Sequence, residues 1–210
     1  MHAPVRLAPQ VPARVVVLAS GVGSLFASLV RATVDPGHPV DVVALGTDRA
    51  CAAVDVAAQL GVIGFTVSLG AHPDRAAWDR ALTAAVARHE PHLVVCAGFM
   101  RVLGPEFLAR FGGRTINTHP SLLPSFPGAR AVADALAHGV RLTGSTVHLV
   151  DAGLDTGPIL AQQAVPVRRD DDETSLHERI KVVERVLLVD VLSAVATSGV
   201  TTDGRKAQIP

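Results

Sequence analysis

The chain has little charge and few aromatic residues. Of its 210 residues, 18% are charged and 3% aromatic, and 19 basic side chains balance 19 acidic ones to give a net charge of zero. Because no basic stripe with interleaved aromatic residues is present, we expect no nucleic-acid partner. The 49% of hydrophobic residues instead predict one compact domain with a substantial core.

Cysteines and long apolar runs are also scarce. Cys51 and Cys96 are the two cysteines, and neither belongs to a Cys-x-x-Cys pair, which argues against a zinc site or a disulfide framework. No stretch approaches the roughly 20 apolar residues of a membrane-spanning helix. The first ten residues lack the apolar core of a secretory signal. We therefore expect a cytoplasmic protein with no metal and no membrane partner.

Strand-like and helical patterns alternate through the first half of the chain. The predicted strands cover residues 14–20, 40–46, 63–67, 92–97 and 114–117. The helical patterns between them cover residues 25–33, 50–60, 74–89 and 104–110. This order predicts an α/β fold, with a doubly wound, mostly parallel sheet that carries helices on both faces.

The second half departs from this alternation. After a helix at 129–138, two strand patterns at 143–150 and 158–167 are joined by the loop 151–157, and a long helix follows at 173–196. Two neighbouring strands with a short connection predict an antiparallel extension of the sheet. No break marks a domain boundary, so we expect a single catalytic domain over 1–210 with loose tails at about 1–12 and 199–210.

The segment 116–124 and the loop 151–157 carry the most chemistry. Asn117 and His119 occupy alternate positions at the carboxyl end of a predicted strand, where open α/β sheets bind ligands. Three prolines, at 120, 124 and 127, keep the following loop stiff. Together with Asp155, these side chains supply a carboxamide, an imidazole and a carboxylate. That set is suited to stabilising an oxyanion with proton transfer, and it does not suit a metal.

A glycine-rich turn follows the first strand. Gly21, Gly23 and Ser24 come directly before a predicted helix, whose first backbone N–H groups can hold a phosphate. A dinucleotide fingerprint would require glycine where Phe26 stands, and the Gly-Lys-Ser/Thr ending of a nucleoside-triphosphate loop is missing. The turn therefore favours a single phosphate monoester.

Four motifs in order, at 20–24, 97–101, 117–124 and 151–158, resemble the phosphoribosylglycinamide formyltransferase family over about residues 14–196. These are folate-dependent enzymes of purine synthesis. The resemblance implies the formyltransferase variant of the doubly wound sheet. It also implies transfer of the formyl group of N10-formyltetrahydrofolate, as co-substrate, to the amine of phosphoribosylglycinamide (GAR) in de novo IMP biosynthesis, with no metal required.

The resemblance also assigns residues to each role. The catalytic positions are Asn117, His119 and Asp155. The positions implied to bind GAR are Gly21, Gly23, Ser24, Leu25, Lys181 and Glu184. The positions implied to bind folate are Arg75, Met100, Arg101, Val102, Leu103, Asn117 and Asp155. Leu25 stands where the family often has Asn, so that only its backbone N–H can donate to the phosphate. His148 matches a family histidine near the catalytic group, but it is equally consistent with a core histidine.

The mechanism we expect is direct transfer without a covalent enzyme intermediate. Neither cysteine is paired with a histidine in a recognised spacing, and no serine lies in a Gly-x-Ser-x-Gly turn. Asn117 and His119 would stabilise the oxyanion of the tetrahedral species, and Asp155 would support His119 and accept a proton through water.

Other functions share these residues and stay open. Methionyl-tRNA formyltransferase, formyltetrahydrofolate hydrolase and sugar-amine formyltransferases have the same catalytic pattern, but the first two carry an extra domain for which we expect 210 residues to leave no room. A silent folate sensor would not need the three catalytic residues. An NAD binder would need an acidic residue after the second strand, where Asp48 is the only candidate. A monomer and a homodimer are equally consistent with the sequence.

Overall fold

The computed structural model describes residues 6–210, and within them ten strands form one sheet. The strands are β1 (Arg6–Leu7), β2 (Ala13–Ala19), β3 (Val40–Thr47), β4 (Ile63–Thr66), β5 (Leu93–Cys96), β6 (Thr115–His119), β7 (Leu142–Leu149), β8 (Ile159–Pro166), β9 (Val200–Asp203) and β10 (Lys206–Gln208). They lie side by side in the order β1-β9-β10-β8-β7-β6-β5-β2-β3-β4.

Helices cover both faces of this sheet. They are α1 (Ser24–Ala32), α2 (Ala52–Gln59), α3 (Arg75–Ala87), α4 (Pro105–Phe111), α5 (Ala131–His138) and α6 (Glu173–Ser198), with a short 3-10 helix at Leu69–Ala71. None of the helices in residues 6–210 is both long enough and apolar enough to cross a membrane.

The central strand β2 shows why the fold has two apolar layers. Val15 and Val17 pack with α1, α2 and α6, whereas Val16 and Leu18 pack on the other face with α3 and α4. All four side chains are fully buried. Successive side chains of a strand point to opposite faces, so a continuous apolar run is what a strand between two helical layers needs. The predicted fold class is confirmed.

The strand directions divide the sheet into two parts. Strands β6, β5, β2, β3 and β4 are parallel neighbours, which brings their carboxyl ends to one edge. β7 runs antiparallel to β8, as predicted, and it also runs antiparallel to β6, a pairing that the sequence did not indicate. In this register Asn117 of β6 lies opposite His148 of β7.

The prediction of a loose carboxyl tail is wrong for residues 200–208. β9 pairs antiparallel with β10 and with β1, and β10 pairs with β8. Val200 is buried in the core, which anchors the start of β9. Residues 6–12 are not loose either, since β1 belongs to the sheet and the Gln10 N–H donates to the Ala196 carbonyl at 2.8 Å. The expected loose tail at 1–5 lies outside the described residues.

Candidate active site

A cleft of about 480 Å³ opens at the carboxyl ends of β2, β5 and β6. It is closed on the other side by the loop after β7 and by the first half of α6. The cleft brings together nearly all of the predicted site residues: Gly21, Gly23, Ser24, Leu25, Met100, Arg101, Val102, Leu103, Asn117, His119, Asp155, Lys181 and Glu184.

Asn117 is held by the histidine opposite it. Its side-chain nitrogen Nδ2 lies 3.0 Å from Nε2 of His148, while Nδ1 of His148 lies 2.9 Å from the Leu149 carbonyl oxygen. Burial lowers the pKa of His148, although the Asp155 carboxylate partly opposes this effect. A neutral ring with its proton on Nδ1 donates to Leu149 and accepts from Asn117. One N–H of the Asn117 carboxamide is thereby used, and the second is available to a ligand.

His119 is buried and oriented by two oxygen atoms. Its Nε2 lies 2.8 Å from the Phe126 carbonyl, which can only accept, so Nε2 carries a proton. Its Nδ1 lies 3.5 Å from Oδ2 of Asp155. The ring therefore presents Nδ1 to the carboxylate at the floor of the cleft.

Asp155 connects the two histidines. Its Oδ2 accepts a hydrogen bond from the Gly128 N–H at 2.8 Å, and its Oδ1 lies 3.8 Å from Nε2 of His148. The residue has a left-handed backbone with φ of 53°, a conformation that non-glycine residues adopt mainly where the surroundings enforce it. Asp151 has a different task, because its Oδ1 accepts from Gly153 and Thr156 and closes the loop on itself.

The glycine-rich turn ends in the amino terminus of α1. Gly23 caps the helix with φ of 72°, and the first intrahelical hydrogen bond runs from Ala27 N–H to the Gly23 carbonyl at 2.8 Å. The N–H groups of Ser24 and Leu25 therefore precede the intrahelical ladder and point out of the helix end. The Leu25 side chain packs in the core, which leaves its backbone N–H as the group that can reach a ligand.

The first half of α6 adds charge to the cleft wall. Lys181 and Glu184 both face the cleft, with His177 one turn before Lys181. Burial raises the pKa of Glu184, although the charges of Lys181 and Arg185 partly oppose it. A ligand with hydroxyl or amine groups could donate hydrogen bonds to this carboxylate in place of the water molecules that solvate an exposed carboxylate.

Residues 98–104 form the opposite wall, which is partly apolar at its mouth. Met100 and Val102 expose 63% and 52% of their surface there. Arg75 lies outside the residues that line the cleft. Its guanidinium donates to the Val102 carbonyl and lies 5.5 Å from the Trp78 ring centre, so it supports this wall, and its contact with folate stays a prediction.

Two buried carboxylates near this wall are absent from the sequence prediction of the site. Asp79 accepts hydrogen bonds from the N–H groups of Gly104 and Glu106 at 3.1 and 2.9 Å, and it is 2% exposed. Asp48 contacts Arg101 and is 1% exposed. A usable signal existed for Asp48, because it follows β3 directly at the sheet edge where the parallel strands end. In residues 6–210, no group of three or more His, Cys, Asp or Glu side chains could hold a metal ion.

Comparison with known proteins agrees with this geometry. The family model described as formyl transferase matches residues 13–192. The chain belongs to the formyl transferase family. A curated member of high similarity is the phosphoribosylglycinamide formyltransferase of Mycobacterium tuberculosis, 64% identical over 99% of this chain and 96% of the relative.

Two further members extend the comparison. The trifunctional purine biosynthetic protein adenosine-3 of Homo sapiens is 36% identical over 94% of this chain, which corresponds to 20% of that longer protein. Among solved structures, glycinamide ribonucleotide transformylase 1 of Symbiobacterium toebii superposes with a TM-score of 0.91 at 36% identity. It covers 94% of this chain and 93% of its own.

Proposed function

We propose that this formyl transferase moves the formyl group of N10-formyltetrahydrofolate to the primary amine of GAR. The observation that carries the proposal is the convergence of Asn117, His119 and Asp155 in one cleft that also contains a helix amino terminus suited to a phosphate. The 64% identity to a protein of that name over nearly the whole chain supports the same substrates.

GAR binds, in this proposal, between the glycine-rich turn and α6. The backbone N–H groups of Gly23, Ser24 and Leu25 donate to its phosphate, and the partial positive charge of the helix end adds to the attraction. Gly21 lets the backbone approach closely. Lys181 supplies a cation on the far side, and Glu184 accepts from the polar groups of the substrate.

The formyl-folate lies against residues 100–103, in the other half of the cleft. The exposed side chains of Met100 and Val102 cover its apolar rings, and removing this apolar surface from water contributes to binding. The formyl group then points toward Asn117 and Asp155, at the junction of the two half-sites.

In the reaction, the amine nitrogen of GAR attacks the formyl carbon and forms a C–N bond, and the carbonyl electron pair moves onto the formyl oxygen. The second N–H of Asn117 donates to this oxyanion where water is excluded. His119 adds a second donor when its ring carries both protons, because its Nε2–H is held by the Phe126 carbonyl and its Nδ1–H, beside Asp155, can then point to the oxyanion. Asp155 accepts the amine proton through a water molecule and returns it to N10 as the C–N10 bond breaks. The products are formyl-GAR and tetrahydrofolate.

The one cysteine in the cleft does not offer a covalent alternative. Cys96 lies at the end of β5, and burial raises the pKa of its thiol to about 12. Since the thiolate is the nucleophilic form, almost none is present near neutral pH. Direct transfer is therefore the pathway that the side chains favour.

A spectrophotometric assay with 10-formyl-5,8-dideazafolate tests this function when run with GAR and again without any acceptor. We expect deformylation only when GAR is present, with formyl-GAR as the product. Turnover without an acceptor would indicate a hydrolase instead. Folate binding without turnover in both arms would indicate a silent sensor, and either result would refute the proposal.

A further inference from the structure

We propose that Asp48 is a positioning residue that fixes the folate-binding wall through Arg101 and, by way of Ser20, through Met100. This inference rests on the function proposed above, because it concerns the affinity for formyl-folate. Asp48 itself lies behind the wall and does not line the cleft.

Asp48 holds the wall by a charge-assisted hydrogen bond. Its Oδ2 lies 2.7 Å from Nε of Arg101 and 2.9 Å from Nη2 of Arg49. The Asp48 side chain is fully buried, whereas those of Arg101 and Arg49 are 32% and 47% exposed. An ion pair with one fully buried partner is more rigid than a pair between two solvated side chains. The Arg101 guanidinium is thus directed to Asp48, and the peptide that carries it is fixed in place.

A second route from Asp48 to the wall passes through Ser20. The Met100 N–H donates to Oγ of Ser20 at 2.8 Å, and the Ser20 hydroxyl also helps to lower the pKa of the Asp48 carboxyl. The Ser20 N–H donates to the Gly98 carbonyl at 3.2 Å. Ser20 therefore ties the start of the wall, at residues 98 and 100, to the side of the sheet where Asp48 lies.

The charge of Asp48 is maintained despite its burial. Burial by itself would raise the pKa of this carboxyl, but the hydrogen bonds from Arg49, Ser20 and Arg101 outweigh it and hold the pKa below its ordinary value. Asparagine at this position has nearly the same shape but no charge. It would leave the hydrogen bond to Arg101 without its ionic part and weaken the anchor of the wall.

The other contacts that hold the wall lie on either side of Arg101, so the position of Arg101 depends on Asp48. Asp79 holds its end at Gly104, and Arg75 holds the Val102 carbonyl. Without Asp48, Arg101 would lose the side-chain contact that fixes it, and Met100 would be held by Ser20 alone. Met100 and Arg101 are two of the four wall residues, 100–103, against which the folate is proposed to lie, whereas the GAR side of the cleft depends on α1 and α6.

The test is a titration of Asp48→Asn with 10-formyl-5,8-dideazafolate and, separately, with GAR. We expect the Kd for the folate analogue to rise about tenfold, the effect of losing one charge-assisted hydrogen bond. The Kd for GAR, the melting temperature and kcat at saturating folate should change much less. A purely structural role would instead lower the melting temperature and weaken both ligands together, and this result would overturn the inference.

Arg49→Gln is the matched control, because it removes the other partner of Asp48 but leaves Arg101 in place. Arg49 does not line the cleft, and Asp48 keeps its hydrogen bond to Arg101 in this variant, so we expect the folate Kd to stay within about twofold of wild type. In an Arg101→Gln background, Asp48→Asn should have a clearly smaller effect than in the wild-type background, since the main interaction it removes is already gone and only the route through Ser20 remains. Equal effects of Asp48→Asn in both backgrounds would overturn the inference.

Ser20→Ala decides the matter if Asp48→Asn does not fold. It removes the hydroxyl between Met100 and Asp48 without unpairing a buried charge. We expect a weaker folate affinity with unchanged GAR affinity, and an unchanged folate affinity would overturn the inference. If the wild-type protein binds no folate analogue, the proposed function itself is refuted. If wild type and variant bind the analogue equally well, only the role of Asp48 is refuted.

Discussion

Replacement of Gly23 by alanine probes how the glycine-rich turn is built and whether it binds the phosphate as proposed. Gly23 has φ of 72°, and a Cβ atom added there would lie 2.9 Å from both Cα and Cβ of Ala53. Ala53 cannot easily move, because it is fully buried at the start of α2 and its N–H donates to the Gly21 carbonyl at 3.1 Å. The new methyl group must therefore push α1 and the turn away from α2.

The expected loss of stability in Gly23→Ala has two sources, the backbone conformation at this position and the contact with Ala53. A left-handed backbone costs a non-glycine residue about 1–2 kcal/mol, and overpacking against a rigid neighbour typically costs about 1–3 kcal/mol. We therefore expect Gly23→Ala to lose about 2–5 kcal/mol of unfolding free energy. Displacing one charge-assisted donor from the phosphate should also raise the Kd for GAR about tenfold to a hundredfold.

Urea denaturation gives the stability and isothermal titration with GAR gives the affinity. Gly21→Ala is the stability control, because no atom lies within 4 Å of its added Cβ and its backbone is not left-handed. We expect its unfolding free energy to stay within about 0.5 kcal/mol of wild type. Wild-type stability and wild-type GAR affinity in Gly23→Ala would refute the account of this turn.

Three further predictions concern side chains in the cleft. Burial raises the pKa of Glu184 above its ordinary 4.5. The contribution of Glu184 to the free energy of unfolding is therefore fully present below about pH 4.5, and it is lost as the pH rises through the raised pKa of the folded state. Glu184→Gln should thus raise the melting temperature relative to wild type at about pH 8 but not at about pH 4. In a titration, the variant should bind GAR more weakly. An equal gain in melting temperature at both pH values would contradict this prediction. Asp155→Asn, which can still accept from Gly128, should lower kcat about a hundredfold to a thousandfold with an unchanged melting temperature, and a variant that merely unfolds would favour a structural role. With its pKa raised to about 12, Cys96 should resist a thiol reagent in the native protein, and mass spectrometry showing its rapid modification with loss of activity would contradict direct transfer.

Much of the fold followed from the sequence because the strongest local signals agree with the tertiary structure. The apolar run of β2 lies between two helical layers, and the alternation of Asn117 and His119 places both at the carboxyl edge of β6. The antiparallel pair β7 and β8 was predicted from its short connection. In each case a short segment contains the information that determines its structure.

Features that depend on distant contacts could not be predicted in the same way. Asp48 and Arg101 are 53 positions apart, and nothing local in either segment indicates that one binds the other. Arg75, at the start of α3, reaches the Val102 carbonyl in the segment between β5 and α4. The strands β9 and β10 are too short to stand out from a polar tail, and they exist because their partners offer backbone hydrogen bonds and a core for Val200.

The most direct test of the central claim is the turnover of Asn117→Ala and His119→Ala with both substrates saturating, beside the Kd of each variant for GAR. The account predicts that kcat falls about a hundredfold to a thousandfold in each, the usual cost of one oxyanion donor. The GAR affinity should stay near that of wild type, since the phosphate binds elsewhere in the cleft. Near-normal turnover in both variants would contradict the account.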